Sequence, residues 1–305
     1  MASPAPPPPP STWKRTLDRD GSFNTVRIGF GKQGTRDVYH YLLAATWPRF
    51  LGVIGGAYLV TNTLFAVLFY LGGDCIQGAR PGSFEDVFFF SIHTLATIGY
   101  GSMSPATLYA HVVVTMEALV GLLGLAVGTG LMFARFSRPT ARVEWSRVAV
   151  LSRRNGVPHL VFRVANVRAN QIVEASMRVV LLWFEVTSEG ERMRRFIDLP
   201  LVRAQNPVFA LTWQVMHAID ASSPLAGKTD EEMVAARAEI LAMLVGIDST
   251  LNQTIYARHS YQPSELIHDA RFVDMIRELP TGEREIDLSR IHDYVPLGPA
   301  PASSD

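Results

Sequence analysis

Two long apolar stretches flank a third that is too short to cross a membrane, and this pattern constrains the chain more than any other feature. Residues 50–73 contain no charged side chain, and residues 106–134 carry only His111 and Glu117 as groups that titrate near neutral pH. An α-helix of about 20 apolar residues crosses the roughly 30 Å hydrocarbon core of a bilayer. Both stretches are therefore predicted to span.

The segment between them is the informative one. Ser83-Phe84-Glu85-Asp86 puts a hydroxyl three residues ahead of an acid, a capping-box-like start with acids suited to the positive end of a helix. An apolar and small-residue run continues to Ala96, which predicts a helix of about 14 residues, the length of a re-entrant segment. Gly99 and Gly101 follow at once and predict non-helical backbone, tolerated at membrane depth only where protein buries it or where it lines a cavity. The order is span, half-helix, extended loop, span. Lys14, Arg15, Arg19, Arg27, Lys32, Arg36 and Arg49 precede the first span, and Arg135, Arg138, Arg142, Arg147, Arg153 and Arg154 follow the second, whereas the connection offers only Arg80. This asymmetry predicts cytoplasmic termini.

The loop reads Thr97-Ile98-Gly99-Tyr100-Gly101. A potassium ion that sheds its water needs equivalent oxygens in return, and backbone carbonyls from four copies of one loop supply them. Potassium is thus expected at Thr97, Ile98, Gly99 and Tyr100, with the Thr97 hydroxyl adding an oxygen at the inner end. Gly99 and Gly101 permit the positive φ that a row of inward carbonyls requires. Tyr100 is expected to point away from the pore with its ring against the half-helix. A dinucleotide fingerprint is excluded, since the sixth position is Ser104 and a helix, not a strand, precedes the loop.

Composition adds exclusions. With 28 basic and 28 acidic residues, charge points to no nucleic-acid partner. The single cysteine, Cys75, rules out an intramolecular disulfide framework and a cysteine metal cluster, and reads as a small loop residue. Residues 1–11, rich in proline, and 299–305 read as tails. The region beyond the second span holds short β-branched and apolar runs at 143–151, 159–164, 172–187, 208–215 and 239–246, separated by turn formers such as Asn155-Gly156 and Glu189-Gly190. That pattern predicts an all-β sandwich. No catalytic constellation is visible: His217, Asp220 and Ser223 lack a nucleophile elbow. No cofactor is expected beyond the permeant ion.

Several segments together resemble the prokaryotic inward-rectifier potassium channels, over about residues 20–293. They are Phe88-Phe89-Phe90-Ser91, Thr94 to Gly101, Ala134-Arg135-Phe136-Ser137-Arg138-Pro139, Leu211 to Asp220, Ser223-Pro224-Leu225 and Ala257-Arg258-His259. The resemblance implies a homotetramer in a bacterial inner membrane: an α + β membrane protein whose two transmembrane helices, re-entrant pore helix and filter join a cytoplasmic immunoglobulin-like β-sandwich. The expected divisions are a cytoplasmic segment (1–34), an interfacial slide helix (35–46), the pore (47–137), the sandwich (138–293) and a tail (294–305). A membrane-anchored sensor and a poorly selective cation channel are the alternative readings.

The resemblance also implies roles. Gly121 is the hinge position of the inner helix, and Phe133 falls at the cytoplasmic constriction, where an apolar ring gates by dewetting. Gly246 belongs to the apical cytoplasmic loop. Arg49, Arg135 and Arg138 are candidates for anionic lipid headgroups, each worth about 1 kcal/mol near such a surface. Glu117, an acid inside a span, is placed behind the filter as a support. Glu174 matches a cytoplasmic pore acid, whereas two other acidic positions are Leu125 and Val245 here, so block by Mg2+ or polyamines is expected to be weak. His93 stands where relatives carry Glu or Gln, and its protonation would add positive charge beside the filter. Conductance is accordingly predicted to fall at acid pH, and single-channel recording of His93→Gln should show that dependence flattened; an unchanged profile would remove the idea.

Overall fold

A computed structural model describes residues 13–18, 24, 38–137 and 141–297. The chain divides into two compact units, one of residues 28–138 and one that combines residues 1–27 with 139–305.

In the first unit a short helix α1 (Val38–Ala44) precedes α2 (Trp47–Leu71), strand β1 (Ile76–Gln77), the half-helix α3 (Phe84–Leu95), strand β2 (Ser104–Pro105) and α4 (Leu108–Phe136). Pro48 sits in the first turn of α2, where its missing N–H costs nothing. The first turn of α3 carries half of the expected capping box. Ser83 Oγ accepts from the Asp86 N–H at 3.3 Å, but the Asp86 carboxylate turns outward and accepts from the Arg80 backbone N–H at 2.7 Å and from its guanidinium. Across the most apolar stretch of α2 and of α4 only 11% is buried within this chain. Apolar surface left open on helices of that length belongs in lipid or against further copies of the chain. What the helices bury is a small cluster of Ala66, Phe69, Cys75, Ile76, Val87, Phe90, Ala110 and Val113. Cys75, expected as a plain loop residue, is one of its most enclosed members.

The second unit is a β-sandwich. Its strands are β3 (Val143–Trp145), β4 (Ala149–Arg154), β5 (Val157–Asn166), β6 (Ile172–Val186), β7 (Arg192–Asp198), β8 (Gln205–Phe209), β9 (Thr212–Ala218), β10 (Glu239–Asp248), β11 (Gln253–Tyr261), β12 (Leu266–His268), β13 (Ala270–Phe272), β14 (Ile276–Glu278), β15 (Arg284–Ile286) and β16 (Tyr294–Pro296). One sheet runs β11-β10-β6-β7 with β8 also on β6; the other runs β12-β4-β5-β3 with β9 also on β5. Alternate residues face inward. Leu160, Phe162 and Val164 of β5 with Trp213 and Val215 of β9 meet Met177, Val179 and Leu181 of β6 and Ile240, Ala242 and Leu244 of β10. Period-two burial on both sheets defines the core. The β4–β5 hairpin closes on Asn155 and Gly156, at φ +51° and +80°, a pairing that a two-residue hairpin turn requires.

The predicted runs are corrected in detail. Run 143–151 is two strands, β3 and β4, interrupted at Ser146, which accepts from the Arg163 backbone N–H at 3.0 Å. Run 208–215 is split between β8 and β9. Near the end of the described residues, β16 pairs with β13 in a separate two-stranded sheet. At the other end, residues 13–18 dock on the sandwich. The Thr16 and Leu17 N–H groups donate to the Glu239 carboxylate, Ser260 Oγ donates to the Leu17 carbonyl at 2.8 Å, and Arg15 pairs with Glu265 at 2.8 Å.

Candidate functional site

The half-helix ends in a Schellman motif, with the Ile98 N–H bonded to the His93 carbonyl at 2.8 Å and the Thr97 N–H to the Thr94 carbonyl at 3.0 Å. The motif needs a left-handed residue just past the helix, a place usually taken by glycine. Here it is Thr97, at φ +58°. A β-branched residue in that region is strained by about 1–2 kcal/mol. The same left-handed turn recurs at every second residue, Gly99 at φ +61° and Gly101 at φ +77°. The loop 97–101 therefore alternates in backbone handedness, the property expected of a strand that presents successive carbonyls to one side.

Tyr100 packs its ring at right angles to that of His93, centroids 4.8 Å apart. The expectation of a ring against the half-helix holds, and its partner is the residue singled out for departing from the family. Beyond the loop, Gly78 supplies a contact that the sequence reading missed. At φ +85° it lies so near the Ser102 carbonyl that a Cβ would sit 2.3 Å from that oxygen. The pairing of Ile76 with Pro105 and Gln77 with Ser104 clamps the chain on the far side of the loop.

Behind the loop, one buried polar node joins the three helices. Ser91 Oγ of α3 lies 3.2 Å from both Asn62 O and Asn62 Oδ1 of α2, and it bonds Glu117 Oε1 of α4. The Asn62 amide nitrogen is spent on the Tyr58 carbonyl at 2.8 Å. All three residues are completely buried, and Glu117 is bonded there to Ser91. Asn62 was missed, although a lone amide in an uncharged span is itself a signal. Next to this node, Gly121 lets α4 touch α3: a Cβ there would lie 2.6 Å from the Leu95 carbonyl. The inner helix runs unbroken through Gly121, which gives that glycine a packing reason of its own.

Arg135 is held within its own unit. Its terminal nitrogens donate to the carbonyls of Leu42, at 2.8 Å, and of Ala45, at the end of α1. Its guanidinium also covers the rings of Trp47 and Phe50 at 4.6 and 5.0 Å. A cation capping exposed helix carbonyls is favourable, and here it ties the first short helix to the last turn of α4. Arg49 is exposed, Arg138 lies outside the described residues, and Phe133 is 73% exposed on the final turns of α4. In the other unit Glu174 and Gly246 both belong to one irregularity in the β6–β10 pairing. Gly246 was expected in a loop but sits inside β10, opposite a bulge where the β6 register shifts. Glu174 is the left-handed residue of that bulge, at φ +51°. A Cβ on Gly246 would press on Ile172 at 2.5 Å. His217 is held on both ring nitrogens. Its Nδ1 donates to the Pro200 carbonyl, its Nε2 accepts from Ser223 Oγ, and Asp220 instead accepts from Ser222.

Residues 56–138 match the ion channel family model and residues 143–304 the inward rectifier potassium channel C-terminal domain. The chain is 47% identical to the inward rectifier potassium channel Kirbac3.1 of Paramagnetospirillum magnetotacticum over 93% of its length and 97% of that protein. The chain belongs to the inward-rectifier potassium channels. More distant members of the family are similar over most of the chain too. It is 27% identical to inward rectifier potassium channel 4 of Rattus norvegicus over 95% of this chain and 74% of that one. With ATP-sensitive inward rectifier potassium channel 8 of Homo sapiens the identity is 28%, over 92% and 74%. It is accordingly a membrane protein of an ion-channel family, and its function is inward-rectifier potassium conduction.

The three-helix node carries a stability expectation. Glu117→Ala takes away the carboxylate that Ser91 Oγ bonds and leaves a void in its place, so thermal unfolding of the detergent-solubilised channel should register a loss of about 2–4 kcal/mol. Glu117→Gln, which keeps shape and hydrogen bonding, should stay close to the parent. Equal losses in both variants would contradict a hydrogen-bonded brace.

Proposed function

We propose that four identical chains in a bacterial plasma membrane, termini cytoplasmic, bring their 97–101 loops to one axis, where carbonyls of Thr97, Ile98, Gly99 and Tyr100 replace the water around potassium. The observation that carries this reading is the alternation of left-handed residues Thr97, Gly99 and Gly101 directly after a half-helix. The negative end of α3 points toward the loop and favours a cation there. The exposed apolar faces of α2 and α4 support an assembly in lipid.

Gating is proposed at the cytoplasmic end of α4, with Phe133 as the apolar constriction and flexing at Gly121. Arg135, bonded to the end of α1, supports a mechanical link by which that short helix pulls on α4. Anionic lipid is assigned to Arg49 and Arg138, with Arg135 engaged in the coupling. Glu174 is the acid for Mg2+ or polyamines in the cytoplasmic pore, and because the two other positions that carry acids in strong rectifiers are Leu125 and Val245 here, the block is weak. The bulge opposite Gly246 fixes where that carboxylate projects.

Barium-sensitive rubidium uptake into proteoliposomes tests the reading. The wild-type channel should load the ion. Gly99→Ala, with its Cβ forced into φ +61°, should lose about tenfold or more of the flux while still eluting as a tetramer. No wild-type uptake, the behaviour of a mere membrane anchor, would contradict it.

A further inference from the structure

The far end of the 97–101 loop is held by a segment that lies outside it. The Ile98 N–H closes the motif at the end of α3, and Ser104 pairs with Gln77. Between them, among the described residues, no backbone N–H from Gly99 to Met103 donates to a main-chain carbonyl of the chain. That stretch is suspended between two anchors. The entry anchor is the end of the half-helix itself; the exit anchor is residues 75–80.

This segment is tied at both of its own ends. Cys75 is 1% exposed within the apolar cluster, and its carbonyl accepts from the Ala106 N–H at 2.9 Å. The Arg80 backbone N–H donates to Asp86 Oδ2 at 2.7 Å, while its guanidinium reaches both oxygens of that carboxylate, at 2.9 and 2.7 Å. Between these ties Gly78 turns left-handed, and a Cβ on it would lie 2.3 Å from the Ser102 carbonyl oxygen and 3.5 Å from Met103 Cα. The approach is main chain against main chain, so no side-chain rotation relieves it. Ala79 of the segment and Met103 of the loop exit also pack against the same apolar cluster. Turning alone does not demand this closeness. Gly73 and Gly82 are left-handed too, each at φ +67°, yet a Cβ on either would meet nothing within 4 Å.

Rigidity at the exit bears on which cation passes. Potassium and sodium both shed water, and discrimination rests on the number and placement of the oxygens offered in return. Oxygens that cannot close in on the smaller ion leave sodium poorly compensated, whereas oxygens free to move do not. Selectivity is the difference between those two free energies. We propose that residues 75–80 are a specificity-determining strap: Gly78, lying against Ser102, fixes the Tyr100–Gly101 end of the carbonyl row and keeps it from contracting onto sodium. The strap rests on the conduction reading above and places part of the selectivity outside residues 97–101.

Uptake of rubidium and of sodium into proteoliposomes, taken as a ratio for the full-length channel, tests it. Gly78→Ala should lower the rubidium-to-sodium ratio by about tenfold or more. Gly82→Ala, with left-handed strain but no close approach, should keep the parent ratio. Should Gly78→Ala fail to elute as a tetramer, Asp86→Asn takes its place. It frees the exposed end of the strap without adding bulk, and its lost charge acts on both monovalent cations alike, so the ratio should fall by about twofold to threefold. An unchanged ratio in assembled Gly78→Ala channels, or in Asp86→Asn where the alanine variant does not assemble, overturns the strap. An equal fall in Gly82→Ala assigns the effect to backbone strain and overturns it as well. Rubidium uptake absent from the parent channel overturns the conduction reading itself, and the strap with it.

Discussion

Main-chain oxygens must stand at membrane depth, unpaired with any N–H, if they are to replace the hydration of a cation; every other feature of the membrane unit serves that demand. Such oxygens are costly unless an ion or water meets them. The chain holds them by reversing backbone handedness at alternate residues and by anchoring both ends of the loop. At the entry, the Schellman motif fixes Thr97 in a left-handed turn that a threonine disfavours. At the exit, Gly78 brings its backbone against Ser102, and β1–β2 pairing follows at once. The edge-on contact of Tyr100 with His93 ties the middle of the loop to the helix that supports it.

Holding the half-helix in turn is a matter of contacts that do not depend on water. Between helices in lipid there is no hydrophobic driving force, and close packing with buried hydrogen bonds takes its place. Both devices meet at one level. The Asn62–Ser91–Glu117 node joins α2, α3 and α4 through polar groups, and Gly121 allows α4 to approach the last carbonyls of α3. Further along α4, Arg135 turns toward the end of α1. A single inner helix thus contacts both the half-helix and the end of the short helix before the first span.

Much of this was legible in the residues because membrane constraints are severe. The length of an uncharged run decides whether it spans, and a run too short to span followed by two glycines decides that the chain turns back. The left-handed positions at Gly99 and Gly101 were readable for the same reason. What stayed hidden depends on tertiary proximity. Gly78 is one glycine among many until the Ser102 carbonyl is placed beside it, and Arg135 reads as a membrane-surface charge until α1 presents its carbonyls. In the sandwich, apolar runs locate strands but not their breaks. Ser146 interrupts one run because its hydroxyl bonds the neighbouring strand's backbone, and β7 was overlooked because nearly every residue in it is exposed. Gly246 looked like a loop residue, whereas its missing side chain makes room for the bulge at Glu174.

The central claim concerns where ions reside. Crystals of the channel grown in rubidium and measured at the rubidium absorption edge would test it most directly. The account predicts anomalous peaks in single file on a fourfold axis, each caged by carbonyls of residues 97–100 from four chains. Peaks elsewhere, or loops whose carbonyls turn away from a common axis, would contradict it.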